Sequence, residues 1–157
     1  MSCNSIIYAC LISLLLMFCH QPLEGQYGNL HYLRIAHYPF SIDGRDISGM
    51  GNHGIVIGAI QTNEASGDEG YSYLFDGVDD RIDCRTTGFE VSSSVTVSCW
   101  IKTDSVPDNC HIVSKYDPDS DGGFILGLQE GKAKWAGRVG SGQFIRTSSA
   151  TRLDDNR

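Results

Sequence analysis

From Leu33 onward, short apolar runs alternate with polar segments rich in Gly, Asp and Asn. "LRIAHYPF" predicts a strand, and "SIDGRDISGMGNHG" after it a long polar loop. "IVIGAI" predicts a second strand and "QTNEASGDEG" a second loop. "YSYLFDG" and "RIDC" flank a tight turn at Gly77-Val78-Asp79-Asp80, which reads as a hairpin tip. In "SVTVSCWIKT", Val95, Val97, Cys99 and Ile101 alternate with Thr96, Ser98, Trp100 and Lys102, the period of a strand with two unlike faces. "HIVSKY" predicts another strand, and "FILGLQ" and "KAKWAGRVG" flank Glu130-Gly131, a good two-residue hairpin turn. "QFIRTS" is the last. No segment after the first 25 residues sustains a 3.6-residue period over three turns. Many short strands with frequent turns predict an all-β, antiparallel sandwich or barrel.

The N-terminus follows another pattern. Ile6 to Cys19 is an almost unbroken apolar run, followed by the breaking "HQPLEGQ". Its length of about 14 residues is short for a membrane span, which needs roughly 20, and suits the core of a signal peptide. No Lys or Arg precedes it, so the amino terminus supplies the positive charge. We expect residues 1–25 to be a signal peptide, 26–32 a linker and 33–157 the domain. The mature protein is then secreted, with no direct membrane insertion.

Composition adds exclusions. Nineteen Asp and Glu against 12 Lys and Arg give a formal net charge of -7, which speaks against a nucleic-acid partner. Of 6 cysteines, three lie in the expected leader, leaving Cys84, Cys99 and Cys110. In an oxidising compartment an odd number leaves a thiol free or paired elsewhere. Cys84 and Cys110 each sit at a strand end. A bridge between them would close a loop of about 25 residues and add roughly 3 kcal/mol. Pairing with a cysteine farther along a longer chain, or free thiols, are the other readings. Cys99, on the apolar face of its strand, should point inward.

Two Asp-rich stretches are candidate calcium loops. Asp76, Asp79 and Asp80 fall within "FDGVDD". Either they are turn chemistry, or they gather a calcium ion with Asp43, Asp46 and Asn52 of the earlier loop as co-ligands. Asp117-x-Asp119-x-Asp121-Gly122 matches the first half of an EF-hand loop, but Leu128 stands at the twelfth position, where a bidentate Glu is needed. The alternative there is a solvated loop. His53 reads as bonded to its own glycine-rich loop. Trp100 and Trp135 are either core residues or platforms for sugar rings. A glycosidase on such a fold would need paired carboxylates across a cleft, as in Glu-x-Asp-x-Glu on one strand, and that signature is absent.

In order, "HYPF…DISGMGNHG", "YLFDGVDDRI", "VTVSCWIK" and "IVSK…GGFILGL" resemble the laminin-G-like, concanavalin-A-like jelly-roll family, over roughly Leu33 to Arg157. Gly51-Asn52-His53-Gly54 and Phe75 to Asp80 are the specific parts. The resemblance implies a two-sheet jelly roll that binds glycans or proteins, often with calcium and usually without catalysis. It also implies further strands after "TRLDDNR", so the domain is expected to be incomplete at its C-terminus. The alternative is the accessory carbohydrate-binding domain of a glycan-active enzyme whose catalytic part lies beyond residue 157.

Overall fold

The computed structural model describes residues 7–15, 34–62, 72–84, 89, 95–103, 109–116, 123–139 and 143–153. Among them there is no helix, so none is long and apolar enough to cross a membrane. The strands are β1 (Ile7–Leu15), β2 (Arg34–Tyr38), β3 (Ile55–Ile57), β4 (Ile60–Thr62), β5 (Ser72–Phe75) and β6 (Arg81–Asp83). They continue with β7 (Thr96–Thr103), β8 (Cys110–Tyr116), β9 (Gly123–Gln129), β10 (Lys132–Val139) and β11 (Gln143–Arg152). They form a five-stranded sheet in the order β2-β1-β5-β4 with β7 also on β1, a four-stranded sheet β11-β10-β9-β8, and the pair β3-β6. The all-β, antiparallel expectation is met.

The chain divides into two compact units. One is Met1–Ile7, Phe75–Asp80 and Lys102–Arg157, and the other is Tyr8–Leu74 and Arg81–Ile101.

In the first unit, β8 to β11 form a meander in which each strand pairs with its sequence neighbour. Alternation divides its side chains. Phe124 and Leu128 are buried, and the Phe124 ring stacks on Trp135 with centroids 5.2 Å apart and planes at 11°. Cys110 lies opposite Leu128 and is also buried. The β9–β10 hairpin turns at Glu130 and Gly131, whose φ of 53° and 78° are those of the primed turn that matches strand twist. Sequence anticipates this turn correctly.

In the second unit, the core gathers on β2 and β5. Ile35, Ala36, Tyr38, Phe40 and Tyr73 are all at most 6% exposed. Tyr38 stacks on Phe40 at 6.1 Å, and Phe40 meets Tyr73 edge-on at 5.2 Å. Phe40 has φ 57°, which a bulky residue adopts only when its surroundings hold it there. Complete burial of the ring and a bond from Gln61 Nε2 to its carbonyl at 2.7 Å do so.

Two expectations need correction. "IVIGAI" is not one strand: Gly58, at φ 80°, breaks it, so that β3 pairs with β6 while β4 pairs with β5. For the same reason the Asp-rich turn between β5 and β6 is not a hairpin tip. Its two strands belong to different sheets, and the turn is the corner between them. The apolar segment expected as a leader core runs as β1, with Ile12 opposite Tyr38 and Leu14 opposite Ala36.

Candidate functional site

The loop from residue 41 to 54 is organised by one carboxylate. Asp46 is 5% exposed, and four donors converge on it. Its Oδ1 accepts from the amides of His37 and Ser48, each at 2.8 Å. Its Oδ2 accepts from the Ser48 hydroxyl at 2.8 Å and the Asn52 amide at 3.0 Å. Burial alone would raise its pKa, but these donors favour the charged form more and hold it below the ordinary carboxylate value. Around this centre, Asn52 Nδ2 donates to the Ile35 carbonyl at 2.9 Å and the Tyr38 hydroxyl donates to the Asn52 carbonyl at 2.5 Å. The Ile47 amide donates to the His37 carbonyl at 2.9 Å, and the Asp46 amide to His53 Nδ1 at 3.2 Å. His53 thus bonds its own loop, as expected.

The loop closes where the Gly54 amide donates to the Gly44 carbonyl at 2.8 Å. A Cβ on Gly54 would stand 2.5 Å from Ile82 Cγ2, so only glycine lets the strands approach there.

This geometry bears on the expected calcium ligands. Asp46 gives its oxygens to N–H and O–H donors, and Asn52 donates its side-chain nitrogen to the Ile35 carbonyl while its backbone carbonyl accepts from Tyr38. Asp43 accepts from the Arg45 amide at 2.9 Å and pairs with its guanidinium at 3.0 Å. These residues hold the loop together. Ser48 and Tyr38, which sequence reasoning passed over, belong to the same network. The Asp-x-Ser spacing, an Asx-turn signature, was the available signal.

At the β5–β6 corner, carboxylate oxygens of Asp76, Asp79 and Asp80 all lie within 4.8 Å of one another. Asp80 Oδ2 accepts from the Asp76 amide at 2.9 Å, and Asp76 Oδ1 accepts from the Val78 amide at 2.8 Å. These are turn bonds. Three carboxylates in this space suit a hard cation, with water completing its shell. Asp117, Asp119 and Asp121 lie outside the described residues. The twelfth position of that motif, Leu128, is 1% exposed on β9 and cannot ligate.

Trp100 lies on β7 with 69% of its surface exposed. Ser98 and Lys102, on the same side of the strand, are exposed too, whereas Val97, Cys99 and Ile101 are half-buried. Trp135, by contrast, is a stacked sheet residue. Trp100 therefore offers water a flat apolar face beside a hydroxyl and an ammonium.

No disulfide joins Cys84, Cys99 or Cys110 among the described residues. The Cys84 sulfur lies 3.9 Å from the Ile82 carbonyl and beside the Tyr38 hydroxyl. Burial, and then the charges of Asp83 and Asp46, raise its pKa against the opposing Tyr38 hydrogen bond. Burial pushes Cys99 up to about 11. Neither is an activated nucleophile.

No known family, curated protein or solved structure matches the chain.

Proposed function

We propose that the chain is a secreted, non-catalytic binding module that recognises a glycan or protein ligand, on a laminin-G-like jelly-roll plan. The observation that carries this reading is Trp100. An indole 69% exposed on a strand, flanked by Ser98 and Lys102, has the apolar plane and the hydrogen-bonding neighbours that a pyranose ring requires. The absence of an alternating carboxylate pair from the sequence supports the non-catalytic part. Calcium is assigned a supporting role at Asp76, Asp79 and Asp80, with Asp117, Asp119 and Asp121 as the other candidate loop.

A glycan array probed with the 157-residue chain, with and without calcium, tests the reading. Trp100→Ala is expected to weaken binding about tenfold, the loss of one stacking contact with its buried area. No sugar or protein ligand binding below millimolar, or binding indifferent to Trp100→Ala, would sink it. Isothermal titration with calcium chloride should show weak uptake that Asp76→Asn reduces. Absence of heat in the wild type removes the calcium assignment.

A further inference from the structure

Strand β2 has two edges, and they are occupied differently. On the loop side, the Ile35 carbonyl accepts from the Ser48 hydroxyl and Asn52 Nδ2, the His37 amide donates to Asp46, and the His37 carbonyl accepts from the Ile47 amide. In an extended strand the N–H and C=O of one residue point to the same edge, and successive residues point to opposite edges. Ile35 and His37 therefore serve the loop, and Ala36 and Tyr38 serve the other edge. There, Leu14 of β1 stands opposite Ala36 and Ile12 opposite Tyr38. Ala36 and Tyr38 are 0% and 2% exposed, so strand partners rather than water must satisfy these backbone groups.

Among the described residues, β1 is the strand neighbour of β2, and it stands between β2 and β5. It also pairs with β7, so it is not an edge added to a finished sheet. Without β1, the amides and carbonyls of two core residues lose their partners, and β2 keeps only the loop on its other side. Yet the nine residues of β1 lie within the apolar run whose composition reads as an export leader, the kind of segment that processing removes. One stretch of sequence thus has two destinations.

We propose that the β1-facing edge of β2 is a strand-acceptor site whose ligand is the chain's own segment Ile7–Leu15, and that this segment stays in the sheet, held without a covalent link, when the chain is cut behind it. Recognition runs through the main chain at Ala36 and Tyr38, which take an extended ligand antiparallel to β2. Ile12 and Leu14 each bring an N–H to this ladder, so proline is not tolerated at either position. Ile7–Leu15 contains no ionisable acid or base other than Tyr8 and Cys10, so its insertion brings no ion between β2 and β5. The inference takes from the secretion reading only the cut behind the segment. A cut made by hand tests the site whether or not export supplies one, and neither Trp100 nor the Asp-rich loops enter the result.

The test uses the 157-residue chain with a protease recognition sequence inserted between Glu24 and Gly25. After the folded protein is cut, residues 1–24 are expected to co-elute with the remainder in gel filtration. Hydrogen exchange read by NMR should leave the Ala36 and Tyr38 amides within about threefold of their rates in the uncut chain. A fluorescent peptide of residues 6–16 with a lysine tail, added in excess, should replace the cut fragment. The same peptide with Ile12→Pro should bind at least about tenfold more weakly, because it leaves a buried carbonyl of β2 without its donor. Loss of the fragment with Ala36 and Tyr38 still protected overturns the proposal, since β2 then needs no strand at that edge. Loss of the fragment with unfolding overturns it too, since the segment is then a covalent part of the fold and not a bound one. So does equal binding of the two peptides, which marks apolar adhesion rather than a hydrogen-bonded ladder.

Discussion

The β8–β11 meander and the sheet around Asp46 are held together in different ways. In the meander, each strand bonds its neighbour in sequence, through a two-residue turn at Glu130-Gly131, with a positive φ at Gly123 and register shifts between His111 and Val113 and between Lys132 and Lys134. Around Asp46, a loop of polar residues is tied to β2 by a buried carboxylate, and the strands that follow pair out of sequence order. The first arrangement depends on alternation. The second depends on particular side chains meeting across 6 to 17 residues. The meander therefore spreads its stability over many paired positions, whereas the Asp46 region concentrates its bonds on one carboxylate.

The largest effects test where each region keeps its core. Phe40→Ala should cost about 4 kcal/mol and Leu128→Ala about 3 kcal/mol in urea unfolding, since both side chains are fully buried. Next comes the contrast itself. Asp46→Asn should cost about 2 kcal/mol, because one oxygen becomes a donor facing amides that already donate. A cost no greater than that of an exposed substitution would break the comparison.

Acid sharpens the same point. Asp46 binds its proton less tightly folded than unfolded, so its contribution is fully present above about pH 4 and is lost as pH falls through its depressed value. Unfolding midpoints followed from pH 6 downward should fall more steeply for the wild type than for Asp46→Asn. Parallel curves would refute the linkage.

Smaller is the expected gain at the turn. Glu130→Asn, at φ 53°, should stabilise the hairpin by about 0.5 kcal/mol, because Asn tolerates positive φ better. A melting temperature unchanged or lower would count against the turn geometry. The smallest effect is a rate: with its thiol near 11, Cys99 should alkylate slowly at pH 8 and faster as pH rises, and mass spectrometry reads the difference from the denatured chain.

The meander was legible because its rules are local. Alternation in "FILGLQ" and "KAKWAGRVG" and the turn at Glu130-Gly131 name the strands, their partners and their faces together. The placement of the meander's cations was visible only in part. Lys132, Lys134 and Arg138 share parity on β10, but Arg146 and Arg152 join them only through the register. The Asp46 loop was harder. Its Asp and Asn residues suit a calcium loop and an internally bonded loop equally well until partners are known, and the amides that bind Asp46 come from residues on either side of it. Gly58 shows the same limit: nothing local says that the two halves of "IVIGAI" will seek different sheets. Trp100 was ambiguous for a related reason, since alternation assigns it a side of β7 but not what covers that side.

The order of pairing in the meander also has a kinetic consequence. A hairpin closed by two residues and extended by adjacent strands forms contacts at short sequence separation, so little loop entropy is lost before bonds form. Pairings such as β3 with β6 must wait for distant segments to meet. The meander is then the part in place at the folding barrier, and the Asp46 network closes after it. Substitutions in the β9–β10 hairpin should act mainly on the refolding rate, while Asp46→Asn should act mainly on the unfolding rate.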